Sequence, residues 1–539
     1  MAVFPKEKKK APKMAHHDLS HYLRTSMAPG LGYPICCIPC NAGDHHQLEF
    51  KHLMNTQAIL NPLYGSYRLQ ICVFFAGVSL YVPKLWRNGS MTQTSSGLLD
   101  AGFPYIHISP NKPMYHVHES SLAAYLGMGY HTGLFTGDQS QFPINLIPYL
   151  MYYDIFRHYY ANRQEATFPV MLGAWNSASR VTYFQMSDLD ALYGNLPWDG
   201  GSMDTDTFLN KTPIYFQFRK RTPSDSSTPS MSSPLGGLWQ ACYMPDRMNV
   251  ILSDAFFRNN VSTVVVSTAG DSFQVDQLVT AKKLWNSRNN DVITNGTFKD
   301  WIRVHFGVTP KIMDDMPTFC GATSSDILFE DIRATTSAKI GDTDQYLGDK
   351  GSSALGYGDS RRFNITVDRP GYIMAIATLV PRVDYYQFTD RYVRHTKLSD
   401  MFRPEFNGIG YQDVLVSDLN TQFPDSWDGT QPYDASDDPF TQAVGKQPAW
   451  IEYMTAVNKI RGTFCSSERS WVLARDMRAN AVDQDNSPTA NTSYTAYIDP
   501  GEWNQPFADQ SDTAQNFYAQ FYLRHRVRST VLKRLRPKF

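Results

Sequence analysis

No apolar run in the chain is long enough to cross a bilayer. The longest, Ile71–Pro83, covers 13 residues, whereas a spanning helix needs about 20. The opening MAVFPKEKKKAPK carries charge with no apolar stretch behind it, so no secretory leader is expected. The seven cysteines are an odd count without regular spacing, which argues against a secreted disulfide framework. These absences predict a soluble chain made and kept in a reducing cytoplasm. Signatures of catalysis are missing too. There is no G-x-S-x-G, P-loop, G-x-G-x-x-G or H-E-x-x-H, so serine hydrolysis, nucleotide phosphate cradling, dinucleotide binding and zinc proteolysis lose their sequence support. No catalytic residue and no cofactor are predicted. Charge is scarce as well, at 19% of residues against a typical ~25%.

Aromatic rings are abundant instead, at 13% of the chain. Many rings and few ions imply surface hidden between subunits. The densest stretch is NLIPYLMYYDIFRHYYANRQE, residues 145–165. At about 100° per residue, Tyr149, Tyr152, Tyr153, Phe156, Tyr159 and Tyr160 fall on one helical arc. Pro148 fits the first turn, Asn145 is a candidate cap, and Asp154 and His158 fall on the opposite side. A base-stacking platform interleaves Arg or Lys with its aromatics. Here Arg157 lies only at the stripe's edge, so the stripe reads as buried packing in a core or a subunit interface.

Charge is also unevenly placed. Residues 1–24 carry +4 and residues 524–539 carry +7, so a net charge of −1 leaves −12 on the body between them. Lys6, Lys8, Lys9, Lys10 and Lys13 lie in the basic arm. Arg524, Arg526, Arg528, Lys533, Arg534, Arg536 and Lys538 lie in the tail. Such groups displace counterions from phosphates without reading sequence. The alternatives are a solvated tail, or one that grips an acidic neighbour.

Along the chain, residues 1–30 read as an arm without its own core. Strand signals dominate from Tyr33: YRLQICVFFAGVSLYVP (67–83), VSTVVVST (261–268), and RRFNITVDRPGYIMAIATLVP (361–381), which reads as a hairpin turning at DRPG. In NFYAQFYLRHRVRS the alternation puts Arg524, Arg526 and Arg528 on one face. Helices are expected at 119–128, 276–288 and 297–307, and long loops at 196–238, 322–360 and 418–448. Many strands, few helices and ornate loops predict an antiparallel sandwich or jelly roll.

Three clusters invite a metal. CCIPCNAGDHH (36–46) holds Cys37, Cys40, His45 and His46, but YPICCIPC also reads as a buried strand entering a turn. YHVHE places His116 and His118 on one strand face, the pair a cupin-like metal enzyme would use, yet Leu122 and Ala123 stand where its Glu would follow. Asp425, Asp428, Asp434, Asp437 and Asp438 miss the spacing of a calcium loop. The structural reading is preferred for each, and no metal site is predicted. A metal-dependent jelly-roll enzyme and a receptor-binding, lectin-like module stay as alternatives.

Several segments resemble the major capsid protein of microviruses, the small single-stranded DNA phages, most closely the alpavirus- and gokushovirus-like branch. They are the aromatic helix, LYGSYRLQICVFFAGVSLYVPKLW (63–86), SLAAYLGM, GGLWQACYMPDRMNVILSD (236–254), GTFKDWIRVHFG, FNGIGYQDV (406–414), QPAWIEYMTAVNKIRGTF (447–464) and FADQSDTAQNFYAQFYLRHRVRS (507–529). They stand in the family's order across about 33–529. The resemblance implies a single eight-stranded antiparallel viral jelly roll with large loop and helix insertions over 31–529, between a basic arm (1–30) and a basic tail (530–539). It also implies sixty copies in a T=1 icosahedral shell around a circular single-stranded DNA genome, in a virion assembled in the bacterial cytoplasm. Its partners would be itself, that DNA, a small basic DNA-binding protein, and a host surface receptor at the outer insertion, 166–235. The arm KEKKKAPK and tail VLKRLRPKF depart from the family pattern, so their DNA role rests on charge alone.

Overall fold

The computed structural model describes residues 14–57, 59, 61–83, 102–108, 120–127, 142–162, 167–171, 181–196, 201–202, 237–242, 251–252, 315–333, 338–340, 343–345, 350–359, 361–367, 369–408, 410–419, 443–475, 497–498, 500–511, 514–529 and 531. The protein is mainly β, built on one curled antiparallel sheet of ten strands. In chain order these are β1 (Ala15–Asp18), β2 (His21–Met27), β3 (Gly32–Cys40), β4 (His45–Thr56), β5 (Ser66–Gly77), β6 (Thr318–Arg333), β7 (Lys350–Asp359), β8 (Phe363–Thr366), β9 (Gly371–Pro381) and β10 (Phe517–Ser529).

The pairings divide the sheet into two halves. In one, β1 and β2 follow each other along one edge of β10, whose other edge pairs with β4. The far edge of β4 takes β8 at residues 45–48 and β7 at residues 51–55. In the other half the order is β3-β9-β5-β6. β7 joins the halves, pairing β4 through Leu355–Asp359 and β6 through Lys350–Leu355.

Burial follows this layout. β10 alternates strictly, with Phe517, Ala519, Phe521, Leu523, His525 and Val527 buried, as a strand with one wet face must. β5 and β9 are buried on both faces. One face of β5 meets the opposite half, where the Tyr67 ring lies 4.8 Å from Phe517. Its other face, at Phe74, meets Tyr159 at 4.9 Å and Phe319 at 5.6 Å. Tyr159 belongs to the helical segment α2 (Ile147–Ile155) with its π-helical continuation Phe156–Tyr160. A shorter helix, α1 (Leu122–Tyr125), lies on β3. A third, α3 (Met186–Gly194), follows a strand pair in which Thr167–Met171 runs antiparallel to Val181–Gln185.

Several sequence expectations change. The expected loop 322–360 contains most of β6 and all of β7. Its Ser, Thr, Asp and Gly content hid them, because strand pairing on both edges overrides weak local preference. The arm 1–30 is not coreless throughout: β1 and β2 pair with β10, and Met27 and Ala28 are fully buried. The strands flanking DRPG do not form a hairpin, since β8 pairs with β4 while β9 pairs with β3 and β5. Asp154 and His158, which fall opposite the aromatic stripe, are buried too, so α2 with its π-helical end is enclosed on both sides. The start of the insertion 166–235 is rooted in the core through Phe168, Val170, Met171, Leu189 and Leu192. Residues 261–268, 276–288, 297–307 and nearly all of 418–442 lie outside the described residues.

Candidate nucleic-acid interface

The wet face of β10 sets the candidate site. Its even-numbered residues point outward, and the antiparallel register carries that parity onto β1, β2, β4, β7 and β8. One row across the face reads His16, Arg528, His45, Thr366. The next reads Asp18, Arg526, Gln47, Asn364, and then Arg524 faces Glu49. Tyr22, Tyr522 and Lys51 follow, with Asp359 in register beyond. After them come Arg24, Gln520, Leu53 and Tyr357.

Cations dominate this face. Arg24, Lys51, Arg362, Arg524, Arg526 and Arg528 stand against Asp18 and Glu49. Glu49 accepts from Arg524 at 3.4 Å and lies 3.9 Å from Arg362. Asp18 accepts from the Ser20 amide at 3.0 Å and from its hydroxyl at 2.5 Å. Those bonds, with Arg526 and Arg524 nearby, hold its carboxyl below the ordinary range. Among the described residues, no carboxylate lies within ion-pair distance of Arg526 or Arg528. A surface of this kind can hold phosphates by charge without reading sequence.

Two buried histidines lie on the opposite face of the same strands. His46 Nδ1 and His525 Nε2 are 2.9 Å apart, with the rings stacked at 5.2 Å. One nitrogen must donate and the other accept, so the pair cannot hold with both rings charged. Burial lowers both, His525 to about 4, helped there by His46 and His21 and opposed by Asp18. For His46, Asp44 opposes burial and His45 adds to it; Asp44 Oδ2 lies 3.9 Å from His46 Nε2. Because both folded values lie below the ~6.5 of an unfolded chain, the unfolded state takes up protons first as pH falls. This contribution is complete above about pH 6.5 and is lost as pH falls toward 4. For His525 it is on the order of 2–3 kcal/mol after a discount for solvent screening. Urea midpoints followed from pH 7 to pH 4 should fall accordingly, and His525→Leu should flatten that slope. An unchanged slope in the variant would place the acid sensitivity elsewhere.

The other predicted residues fall as follows. Arg524, Arg526 and Arg528 share the exposed face. Lys6, Lys8, Lys9, Lys10, Lys13, Lys533, Arg534, Arg536 and Lys538 lie outside the described residues, as do His116, His118, Asp425, Asp428, Asp434, Asp437 and Asp438. Tyr149, Tyr152, Tyr153, Phe156 and Tyr160 are buried in the main core, and Tyr159 is half-buried against it. Cys37 and Cys40 sit on β3, in the half of the sheet opposite to that of His45 and His46 on β4. Burial pushes the Cys36, Cys37 and Cys40 thiols up to about 12. Among the described residues, no group of three His, Cys, Asp or Glu is placed to hold a metal. Sequence reasoning missed Arg24, Lys51, Tyr22 and Tyr522. The signal was the alternation in HYLRTSM, HHQLEFKHLMNT and FYAQFYLRHRVRS, whose alternate positions carry these groups to one face.

Comparison with curated proteins returns no match. A family model described as capsid protein (F protein) matches residues 8–523. That span takes in the whole ten-stranded sheet except the last six residues of β10, and the chain therefore belongs to the F-type phage capsid proteins, the major capsid proteins of microviruses.

Proposed function

We propose that this chain is the repeating unit of a T=1 icosahedral shell of sixty copies, enclosing circular single-stranded DNA, with the β10 face turned toward the genome. The observation that carries the reading is the row Arg524, Arg526, Arg528 on an exposed sheet face, with Arg24, Lys51 and Arg362 beside it. The basic arm and the tail 530–539 extend the same charge. The fold would be an eight-stranded jelly roll. Support comes from two four-strand orders, β2-β10-β4-β8 and β3-β9-β5-β6, between which the chain alternates as jelly-roll strands do.

Sixty copies of the two basic ends supply about 660 positive charges, fewer than the phosphates of a genome of a few thousand nucleotides. A separate small basic DNA-binding protein or polyamines would make up the difference. The insertion 166–235, beyond its core-rooted start, is the segment proposed to protrude and meet a host receptor. Assembly would take place in the host cytoplasm.

Electron microscopy of purified particles tests the shell: closed spheres of one size are expected, and a chain that stays monomeric or trimeric at high concentration overturns it. Deleting 530–539 tests the tail. The chain should still fold and assemble but retain less genome, increasingly so as salt rises. Packaging equal to the full chain at all salt concentrations would remove the tail from the DNA account.

A further inference from the structure

The exposed face of β10 carries more than charge. Tyr22 of β2 and Tyr522 of β10 stand directly opposite each other, ring centroids 4.6 Å apart and planes at 34°. Tyr22 is 59% exposed, Tyr518 51% and Tyr357 70%. Arg24 lies two residues from Tyr22, Arg524 two residues from Tyr522, and Lys51 is in register with Tyr522. Tyr522 is half-buried beneath Tyr22, so a cross-strand contact that would stabilise the sheet also leaves a ring open to solvent among cations.

We propose that Tyr22 and Tyr522 form a base-stacking subsite for single-stranded DNA, with Arg24 and Arg524 holding the phosphates on either side. This rests on the DNA-facing reading above and goes further, because it assigns a contact to the bases themselves. Every base has a π-face, so such a platform takes any sequence. Neighbouring arginines on the strand stand about 7 Å apart, close to the phosphate spacing of an extended single strand. The register fixes the ring pair before any ligand arrives, so little ordering entropy remains to be lost on binding. A second copy docking by this same face would set its row of cations against an identical row, which the charge opposes.

The test uses the full-length unassembled chain and two probes of equal length and phosphate number, an oligothymidylate and its abasic counterpart. Fluorescence anisotropy over a salt series gives affinity and salt slope. Wild-type protein should bind the base-bearing strand about tenfold or more tighter than the abasic one, since each stacked base contributes ~1–3 kcal/mol. A Tyr22→Leu/Tyr522→Leu variant should lose that difference and keep its salt slope. Arg524→Gln/Arg526→Gln should keep the difference while the slope drops by ~0.7 for each phosphate no longer held. Equal wild-type binding of both probes overturns the stacking subsite and leaves the charge reading standing. Arginine variants with unchanged affinity and slope overturn the DNA-facing reading itself. Tyrosine variants that bind both probes normally but fail to form shells would assign the rings to a second copy, against the proposal. Photocrosslinking of wild-type protein to a bromodeoxyuridine strand needs no variant to fold: adducts at Tyr22 or Tyr522 are expected, and adducts confined to other segments overturn the assignment.

Discussion

Trp239→Ala should destabilise the full-length chain by about 3–5 kcal/mol, the range for deleting a large, fully buried ring. Trp239 is completely enclosed. Its ring stacks on Tyr152 at 5.6 Å and lies 5.0 Å from Phe156 and 4.6 Å from Tyr160. On its far side the chain comes close only because Gly32 has no side chain: a Cβ there would sit 2.5 Å from the indole. The backbone around Trp239 is stitched in as well. Ala241 donates to Gly30 O at 2.6 Å, Gly237 to Met171 O at 2.7 Å, and Tyr152 OH reaches Gly32 O at 2.7 Å. The surroundings therefore cannot collapse into the space the ring leaves, and the cost falls at the upper end of the range. The indole Nε1 has no hydrogen-bond partner among the described residues, so Trp239→Phe loses volume alone and should cost about half as much. Urea midpoints of the two variants test this. A shift in Trp239→Ala no larger than in Trp239→Phe would show that the pocket closes after all.

How far the sequence foretells this molecule depends on whether a residue's partner lies near it in the chain. YPICCIPC reads as a buried strand because its apolar run and the NAGD turn are local, and β3 is that strand. The arginines of β10 share a face because period-two alternation is local too. The start of the aromatic helix is visible for the same reason: the N-cap is Leu146, one residue after the expected Asn145, whose Oδ1 still accepts from the Ile147 amide at 3.0 Å. By contrast, β1 and β2 are strands only because β10 lies beside them, some 500 residues away. β6 carries polar residues that β5 and β7 hold in place from either edge. DRPG looks like a hairpin turn because local signals cannot say that the strand before it belongs to the other half of the sheet. The candidate face divides in the same way: its arginines are legible, whereas the pairing of Tyr22 with Tyr522 and of Glu49 with Arg524 exists only once the register is known.

The enclosed helix gives the second large effect. Asp154→Ala should cost about 3–5 kcal/mol, the penalty for removing one partner of a buried ion pair. Asp154 Oδ2 accepts from Tyr81 OH at 3.1 Å. Its Oδ1 lies 3.2 Å from Arg157 Nη2 and 3.0 Å from His158 Nδ1, whose N–H donates to the Asp154 carbonyl at 2.9 Å. Arg157 in turn reaches Asp190 of α3 at 2.9 Å and covers the Tyr193 ring at 4.4 Å. One carboxylate thus ties the π-helical end of α2 to the turn after β5, and through Arg157 to α3. Remove it, and the buried Tyr81 hydroxyl loses this acceptor, while Arg157 loses its buried carboxylate and the Asp190 it also meets is largely exposed and weakly attractive. Asp154→Asn keeps an acceptor for Tyr81 and removes only the charge, so it should cost roughly half as much. If the carboxylate matters as a charge, an Asp154→Ala/Arg157→Met double variant should recover a measurable part of the loss, because the stranded cation goes with its partner. Strict additivity of the two substitutions in urea unfolding would mean that the guanidinium is satisfied without Asp154, whose role then lies with Tyr81 and His158.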